Sequence, residues 1–314
     1  MEQAVKMIAE PQHTTSLVSL QSRYESLRDR SRLEVEAGRF EDALRLVEDA
    51  LGVAQQIGDE QLVAMARCNR AALALATGHG GEHIADLRSV LMRNYDAMTS
   101  FMAAYNLSYA YELQKEFKKA LFYGRVARDR AGAAESPEHL ATSYSQIGNS
   151  LLGSSYFEEA KEHYEKGLAL LPDELSYVSV PSQINLGYCL VMLGDVRQGF
   201  SRLFKCLRWL RPRQMRSLQV WAHLFICAGY LELGRVRRAW VHGRKALAFA
   251  YETGEQEAIK ICLFMMGEVE RTGGDIDAAF GYFAKIQQRY FPKQEDVPAL
   301  LSVVSVAKVV NLRA

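Results

Sequence analysis

Six short segments of this sequence repeat one pattern at nearly constant intervals. Each begins at a turn, has an apolar residue two positions later and a small residue three positions after that: GRFEDAL (38–44), KEFKKAL (115–121), SYFEEAK (155–161), GDVRQGF (194–200), GRVRRAW (234–240) and GDIDAAF (274–280). The small residues lie 77, 40, 39, 40 and 40 positions apart. Such self-similarity is the signature of a repeat protein. The 77-residue interval therefore contains one degenerate unit, TGHGGEHIADL (77–87), in which we expect Ala85 to be the small residue.

Within each unit the apolar residues recur every three or four positions, as on one face of a helix. In one unit Tyr144, Ile147 and Leu151 precede a turn, and a second helical run ends at Pro172, which cannot continue a helix. No segment shows a convincing alternation with period two. Two helices of one hairpin can approach closely only where their side chains are short. The sequence therefore predicts an all-α protein of about seven helix hairpins.

These residues resemble the tetratricopeptide repeat family. The resemblance covers about residues 24–292 and is carried by one group of positions: Tyr144, Ile147, Gly148, Leu151, Ala160, Tyr164 and Pro172, followed by Leu186, Gly187, Leu190 and Gly194. The common repeat of that family has about 34 residues, whereas these units are nearer 40, and in this respect they are similar to kinesin light chains and Rap-type regulators. The resemblance implies a right-handed α-solenoid with a C-terminal capping helix.

Three regions are expected along the chain. Residues 1–20 would be an N-terminal extension, residues 21–296 the repeat region and residues 297–314 a last helix. Because VPALLSVVSVAKVVNLRA (297–314) is unusually apolar for a cap, two explanations stay open. The helix covers the last repeat, as terminal repeats require, or it forms a homodimer contact.

In the family that the sequence resembles, the first helix of each hairpin lines a concave groove. One equivalent position of four successive units carries a side-chain amide: Asn69, Asn106, Gln146 and Asn185. An amide both donates and accepts hydrogen bonds, so a row of them suits the backbone of an extended peptide. We call the four amides and their predicted neighbours the groove set; the neighbours are Tyr105, Tyr109, Asn149, Tyr188, Trp221, Phe225 and Phe264. The alternative is that the amides only bond neighbouring helices, because buried amides must be satisfied.

A second feature is a block of positive charge. Residues 197–245 hold twelve Lys and Arg against one acid, although the whole chain has a net charge of only +1. Several of these residues recur forty positions apart and are expected on the outward face of second helices; we call them the basic patch: Arg197, Arg202, Lys205, Arg208, Arg237, Arg238 and Lys245. The patch fits an acidic protein surface or the phosphates of nucleic acid or an anionic surface, and it also fits a solvated face.

No motif for catalysis, a cofactor or a metal stands out. HGGEH (79–83) matches a zinc-protease pattern, but two glycines split the histidines, so a loop is the better interpretation. Five cysteines without a CxxC pair indicate buried, reduced thiols and a cytoplasmic protein.

We therefore expect a non-enzymatic scaffold that binds an extended peptide or a partner helix in the groove. The alternatives are a peptide-sensing regulator that acts through a partner protein and an accessory factor that uses the basic patch.

Overall fold

The computed structural model describes residues 2–37, 39–78, 80–303 and 311–314. Within these ranges the chain contains fifteen α-helices and no strand. Their bounds are α1 Glu2–Glu36, α2 Phe40–Ile57, α3 Glu60–Ala76, α4 Ile84–Arg93, α5 Ala97–Leu113, α6 Phe117–Ala133, α7 Pro137–Gly153, α8 Phe157–Leu168, α9 Ser179–Met192, α10 Val196–Leu210, α11 Arg216–Glu232, α12 Val236–Thr253, α13 Gln256–Gly273, α14 Ile276–Tyr290 and α15 Val297–Val303.

The described helices form seven hairpins, α1–α2 through α13–α14, which confirms the repeat count. The chain divides into two compact units, Met1–Gln146 and Ile147–Ala314, called unit 1 and unit 2 below. In each unit the first helix of a hairpin also packs on the first helix of the next, α3 on α5 in unit 1 and α9 on α11 and α11 on α13 in unit 2. We call the surface that these helices share the first-helix face.

The ends of the chain differ in detail from the expected regions. Helix α1 runs without a break through the expected boundary at residue 20. Of the expected last helix, residues 297–314, α15 accounts for Val297–Val303 and residues 311–314 form a turn rather than a helix, while residues 304–310 lie outside the described part of the chain. The dimer contact expected there stays a prediction.

The prediction for Ala85 is wrong. A 3-10 turn occupies Gly80–His83, so α4 begins only at Ile84 and Ala85 is exposed. Leu87, which is fully buried, packs instead with Cys68 and Leu107. Because α4 starts late, a different set of its residues faces the core. The large side chain of Leu87 occupies the place expected for the small Ala85.

In unit 2 the two helices of a hairpin approach each other where one of them carries a glycine. Gly148 of α7 lies against the Tyr164 ring of α8, and a Cβ at this glycine would be 2.8 Å from that ring. Gly267 of α13 lies even closer to the Phe283 ring of α14. Phe283 and Tyr164 are themselves fully buried. The glycines therefore leave the space into which the large rings of the second helices pack.

Replacing Gly267 with alanine should destabilise unit 2, because the fully buried Phe283 ring must move. Overpacking of this kind costs about 1–3 kcal/mol, measured as a loss in the free energy of unfolding. The matched control is Gly281→Ala on the exposed face of α14, where a Cβ meets nothing within 4 Å. That control should stabilise the helix by up to about 1 kcal/mol, and equal effects of the two changes would contradict the packing argument.

Candidate functional site

Unit 1 contains three of the four predicted amides. Asn69 on α3 is half-buried and lines a cavity of ≈ 510 Å³ together with Met65, Ala72 and Met102. Asn106 on α5 is only 6% exposed, and its Nδ2 donates to the backbone oxygen of Cys68 on α3 at 2.9 Å. An amide that lines a cavity and an amide that joins two helices thus occupy equivalent positions.

The third amide also reaches back to the preceding hairpin. Gln146, near the middle of α7, is buried, and its Nε2 donates to the Glu112 carboxylate of α5 at 2.6 Å. In unit 2, Asn185 of α9 is 8% exposed and donates through Nδ2 to Oδ1 of Asn149 on α7 at 3.0 Å. Asn149 also accepts from the Tyr164 hydroxyl at 2.8 Å.

Three of the four amides therefore connect neighbouring first helices. This is the alternative that the sequence left open, and it explains why an amide is placed beside large apolar residues on a buried helix. An amide group has two N–H donors and an acceptor oxygen. The bonds described here use only part of that capacity, so they do not by themselves decide between bracing and ligand binding.

Asn106→Ala should lower the free energy of unfolding by about 1 kcal/mol, because it removes a buried hydrogen bond. Asn69→Ala is the matched control: it is the same change at the equivalent position, where the structure shows no side-chain hydrogen bond to another described residue. The control should change stability by less than about 0.5 kcal/mol. Urea unfolding followed by circular dichroism measures both, and an equal loss for the two variants would refute the bracing role.

The aromatic members of the groove set have different surroundings. In unit 1, Tyr105 is half-buried beside Phe101, with ring centroids 5.7 Å apart, and burial raises the pKa of Tyr105 to about 12. Tyr109, on the same helix, is also half-buried. A phenol with a raised pKa stays protonated at neutral pH, so Tyr105 can donate a hydrogen bond.

In unit 2 the aromatic residues form a layered cluster. Tyr188 of α9 and Phe225 of α11 are fully buried and stacked, with centroids 4.1 Å apart. Trp221, one turn before Phe225, is partly exposed, and its centroid lies 5.9 Å from that of Phe225. Phe264 on α13 is also partly exposed. Trp221 and Phe264 are therefore accessible to a ligand, whereas Phe225 supports Tyr188 from below.

A four-residue segment that no sequence pattern predicted, Asn311–Ala314, lies on this cluster. We call it the docked segment. The Tyr188 hydroxyl accepts the backbone N–H of Leu312 at 3.0 Å, and the Arg313 guanidinium lies 4.7 Å from the centroid of the Trp221 ring. Asn311 and Leu312 are 9% and 4% exposed. No local pattern in the sequence could have indicated this contact, because Leu312 and Tyr188 are 124 positions apart.

Asn311 anchors the docked segment at the end of α7. Its Nδ2 donates to the backbone oxygen of Leu152 and to Oγ of Ser155, the second at 3.1 Å. Its Oδ1 accepts the backbone N–H of Arg313 at 2.9 Å and faces the Tyr188 hydroxyl at 3.5 Å. Both ends of this amide are thus occupied, which is the pattern expected of a specific anchor.

The basic patch lies on α10 and α12 of unit 2, the second helices of their hairpins. None of its seven residues forms an ion pair with a carboxylate of the described chain. Arg202 and Lys205 line a cavity of ≈ 490 Å³ that also contains Glu165 and Asp173. Arg197 and Arg238 line another cavity, of ≈ 420 Å³. Four members of the patch therefore border two separate cavities, and one of these cavities has a mixture of charges.

A buried histidine of α11, His223, meets a partly buried histidine of α12, His242, beside this charge. The Nδ1 atoms of His223 and His242 are 2.9 Å apart. Burial lowers the pKa of His223 to about 3, with the charge of His242 as the next cause. Burial lowers the pKa of His242 to about 4, and Lys245 and Arg211 contribute to that shift. Both histidines are therefore neutral in the folded protein at pH 7.

Unit 2 should lose stability as the pH falls below about 6.5, the ordinary pKa of an unfolded histidine. Between pH 6.5 and the lowered pKa values, the unfolded chain binds more protons than the folded chain, so protons favour unfolding. At pH 5 this amounts to about 2 kcal/mol for His223 and to less for the partly exposed His242. Urea unfolding at pH 7 and pH 5 measures the loss, and His223→Gln should reduce it. A pH dependence that His223→Gln leaves unchanged would contradict this assignment.

The other candidate reactive groups are the cysteines and the HGGEH stretch. All five cysteines are buried and free, and burial raises the pKa of Cys68 and Cys227 to about 12. Among the described residues no group of three metal-ligating side chains comes together. His79 of the HGGEH stretch lies outside the described part, and the rest of the stretch forms the 3-10 turn. In the described chain no helix is both long enough and apolar enough to cross a membrane.

Known proteins resemble this chain in structure rather than in sequence. No protein-family model matches the sequence, and no curated protein matches it. A solved structure of a Rap protein complexed with competence and sporulation factor is similar with a TM-score of 0.73 and 11% identity, over 90% of this chain and 80% of that one. The apo form of the quorum sensor NprR from B. thuringiensis follows with a TM-score of 0.65 and 14% identity, over 92% and 80%.

A third similar structure has an enzyme name: aspartyl phosphate phosphatase F from Bacillus subtilis, with a TM-score of 0.57 and 15% identity, over 100% of this chain and 88% of that one. At such identities the likeness concerns the fold alone. The chain has the tetratricopeptide-like α-solenoid fold of these solved structures.

Proposed function

We propose that this protein is a non-enzymatic interaction scaffold that binds a peptide on the first-helix face of unit 2. The observation that carries the proposal is the hydrogen bond from the backbone N–H of Leu312 to the Tyr188 hydroxyl. A side chain on a first helix here holds the backbone of a non-helical segment. A peptide from another molecule offers the same N–H group.

The neighbouring aromatic side chain supports this proposal. Trp221 is partly exposed and already holds a guanidinium against its ring. Aromatic residues of this kind are frequent anchors in binding sites, because they contribute a large contact area at a low cost in side-chain entropy. Tyr188 is fixed from below by Phe225, so its hydroxyl is positioned before a ligand arrives.

A more specific function is a peptide-sensing regulator that acts through a partner protein. Two observations favour it: the fold is that of a Rap protein solved with competence and sporulation factor, and a second solved structure of this fold is NprR in complex with its cognate peptide NprX, with a TM-score of 0.62. Under this proposal the bound peptide alters the dimensions of the protein and thereby its affinity for the partner.

Peptide selection from a random display library tests the scaffold. We expect selected peptides to bind the wild type, and Trp221→Ala should weaken their binding at least tenfold because the aromatic anchor is lost. The matched control is Trp240→Ala on α12, a second helix outside the first-helix face, where the indole donates to Glu270. A thermal melt of each variant separates loss of binding from loss of fold.

The double variant Arg202→Glu/Lys205→Glu tests the basic patch in the same assay. Unchanged peptide affinity is expected, since these residues lie on α10 rather than on the first-helix face. Loss of binding in this variant, with Trp221→Ala harmless, would instead assign recognition to the basic patch.

Solution scattering with and without a selected peptide tests the regulator. A regulator should show a change in the radius of gyration when the peptide binds. Identical curves would refute the regulator and leave the scaffold as the proposed function.

A further inference from the structure

The docked segment contacts the helices of unit 2 in the way that a bound peptide contacts its receptor. The Tyr188 hydroxyl accepts a backbone N–H, the Asn311 side chain is bonded at both ends, and Leu312 is buried at 4% exposure. Arg313 makes a cation–π contact of 4.7 Å with Trp221. Backbone and side-chain contacts over successive residues are what a peptide-binding surface supplies.

Two of the residues under the docked segment belong to the groove set. Tyr188 and Trp221 were assigned to ligand contact from their positions in the repeats alone, without regard to residues 311–314. Their partners in the structure are the backbone of Leu312 and the guanidinium of Arg313. The surface expected to hold a ligand is thus covered by a segment of the same chain.

The protonation state of Tyr188 matches its contacts. Burial raises the pKa of this phenol well above its usual range. The hydroxyl therefore keeps its proton and can donate to the Asn311 side chain while it accepts from Leu312 N–H. A phenolate could not donate to Asn311, so both contacts are made by the neutral phenol that burial favours, although the Leu312 N–H and the Arg313 charge act to lower the pKa of Tyr188.

The docked segment has internal order as well. The N–H of Ala314 donates to the backbone oxygen of Asn311 at 3.2 Å, and Asn311 Oδ1 accepts from Arg313 N–H. An asparagine that bonds the backbone two residues ahead forms a compact turn. The turn presents Leu312 and Arg313 side by side to the first-helix face, so the recognised unit is an amide residue, then an aliphatic residue, then a basic residue.

We propose that Asn311–Ala314 is an intramolecular competitor on the peptide-binding surface of unit 2, and that the ligand displacing it carries an amide–aliphatic–basic turn of the same kind. This inference rests on the proposed function. A face that is free in about one molecule in ten binds a ligand about tenfold more weakly than a face that is always free. Because the ligand must first displace the docked segment, the segment would set the ligand concentration at which binding begins.

The experiment compares three full-length proteins: the wild type, Asn311→Ala/Arg313→Ala and the control Lys293→Ala/Gln294→Ala. The control makes the same kinds of change, one basic and one amide residue, at exposed positions before α15. Each protein is used to select peptides from a twelve-residue display library. Each is also titrated with a fluorescein-labelled peptide, Gly-Gly-Asn-Leu-Arg-Ala-Gly-Gly, followed by fluorescence anisotropy.

We expect the labelled peptide and the selected peptides to bind Asn311→Ala/Arg313→Ala about tenfold more tightly than the wild type or the control. Adding Tyr188→Phe to that variant should weaken binding of the labelled peptide by about fivefold to tenfold, because one backbone hydrogen bond is lost. Phenylalanine keeps the ring that stacks on Phe225, so the fold is retained.

The other outcomes are distinguishable. If selected peptides bind the wild type and Asn311→Ala/Arg313→Ala equally well, the proposed function stands and the competitor is refuted. If peptides bind but Tyr188→Phe has no effect, binding is at another surface, and both the binding site of the proposed function and the competitor are refuted. If neither protein yields a peptide and the labelled peptide binds neither, the proposed function fails and the competitor fails with it.

Discussion

The close approach of two helices within each hairpin is the constraint on which the rest of the structure depends. It requires a residue with little or no side chain on one helix opposite a larger group on the other. Gly267 against Phe283 and Gly148 against Tyr164 meet this requirement in unit 2, and fully buried alanines such as Ala43 and Ala120 meet it in unit 1. Because interiors are close-packed, one added methyl group at either glycine displaces a large ring.

Once the hairpins are packed, the first helices lie side by side, and their polar residues must be satisfied. Each of three amides donates to the first helix of the preceding hairpin: Asn106 to α3, Gln146 to α5 and Asn185 to α7. The same repeat spacing that places the amides on a potential ligand surface thus gives them a structural role. Bracing and binding are compatible uses of one side chain, since an amide has more than one donor and acceptor.

The sequence predicted the hairpins well because helix periodicity and turns are local properties. The forty-residue spacing correctly indicated seven hairpins, including the degenerate second one. The prediction failed at Ala85, where the 3-10 turn delays the start of α4. The side-chain pattern there has two possible registers, and only the packing of Leu87 into the core selects between them.

By itself, the sequence determined the helical class, the number of hairpins and six of the seven small residues, because each depends on neighbours within a few turns of one helix. The tertiary structure alone decided the partners of the amides, the burial of Phe225 beneath Tyr188 and the docking of Asn311–Ala314. These contacts join residues that are far apart in the chain, and no local pattern encodes them. They exist because packing the hairpins brings the first helices of unit 2 together and leaves Tyr188 and Trp221 on one surface.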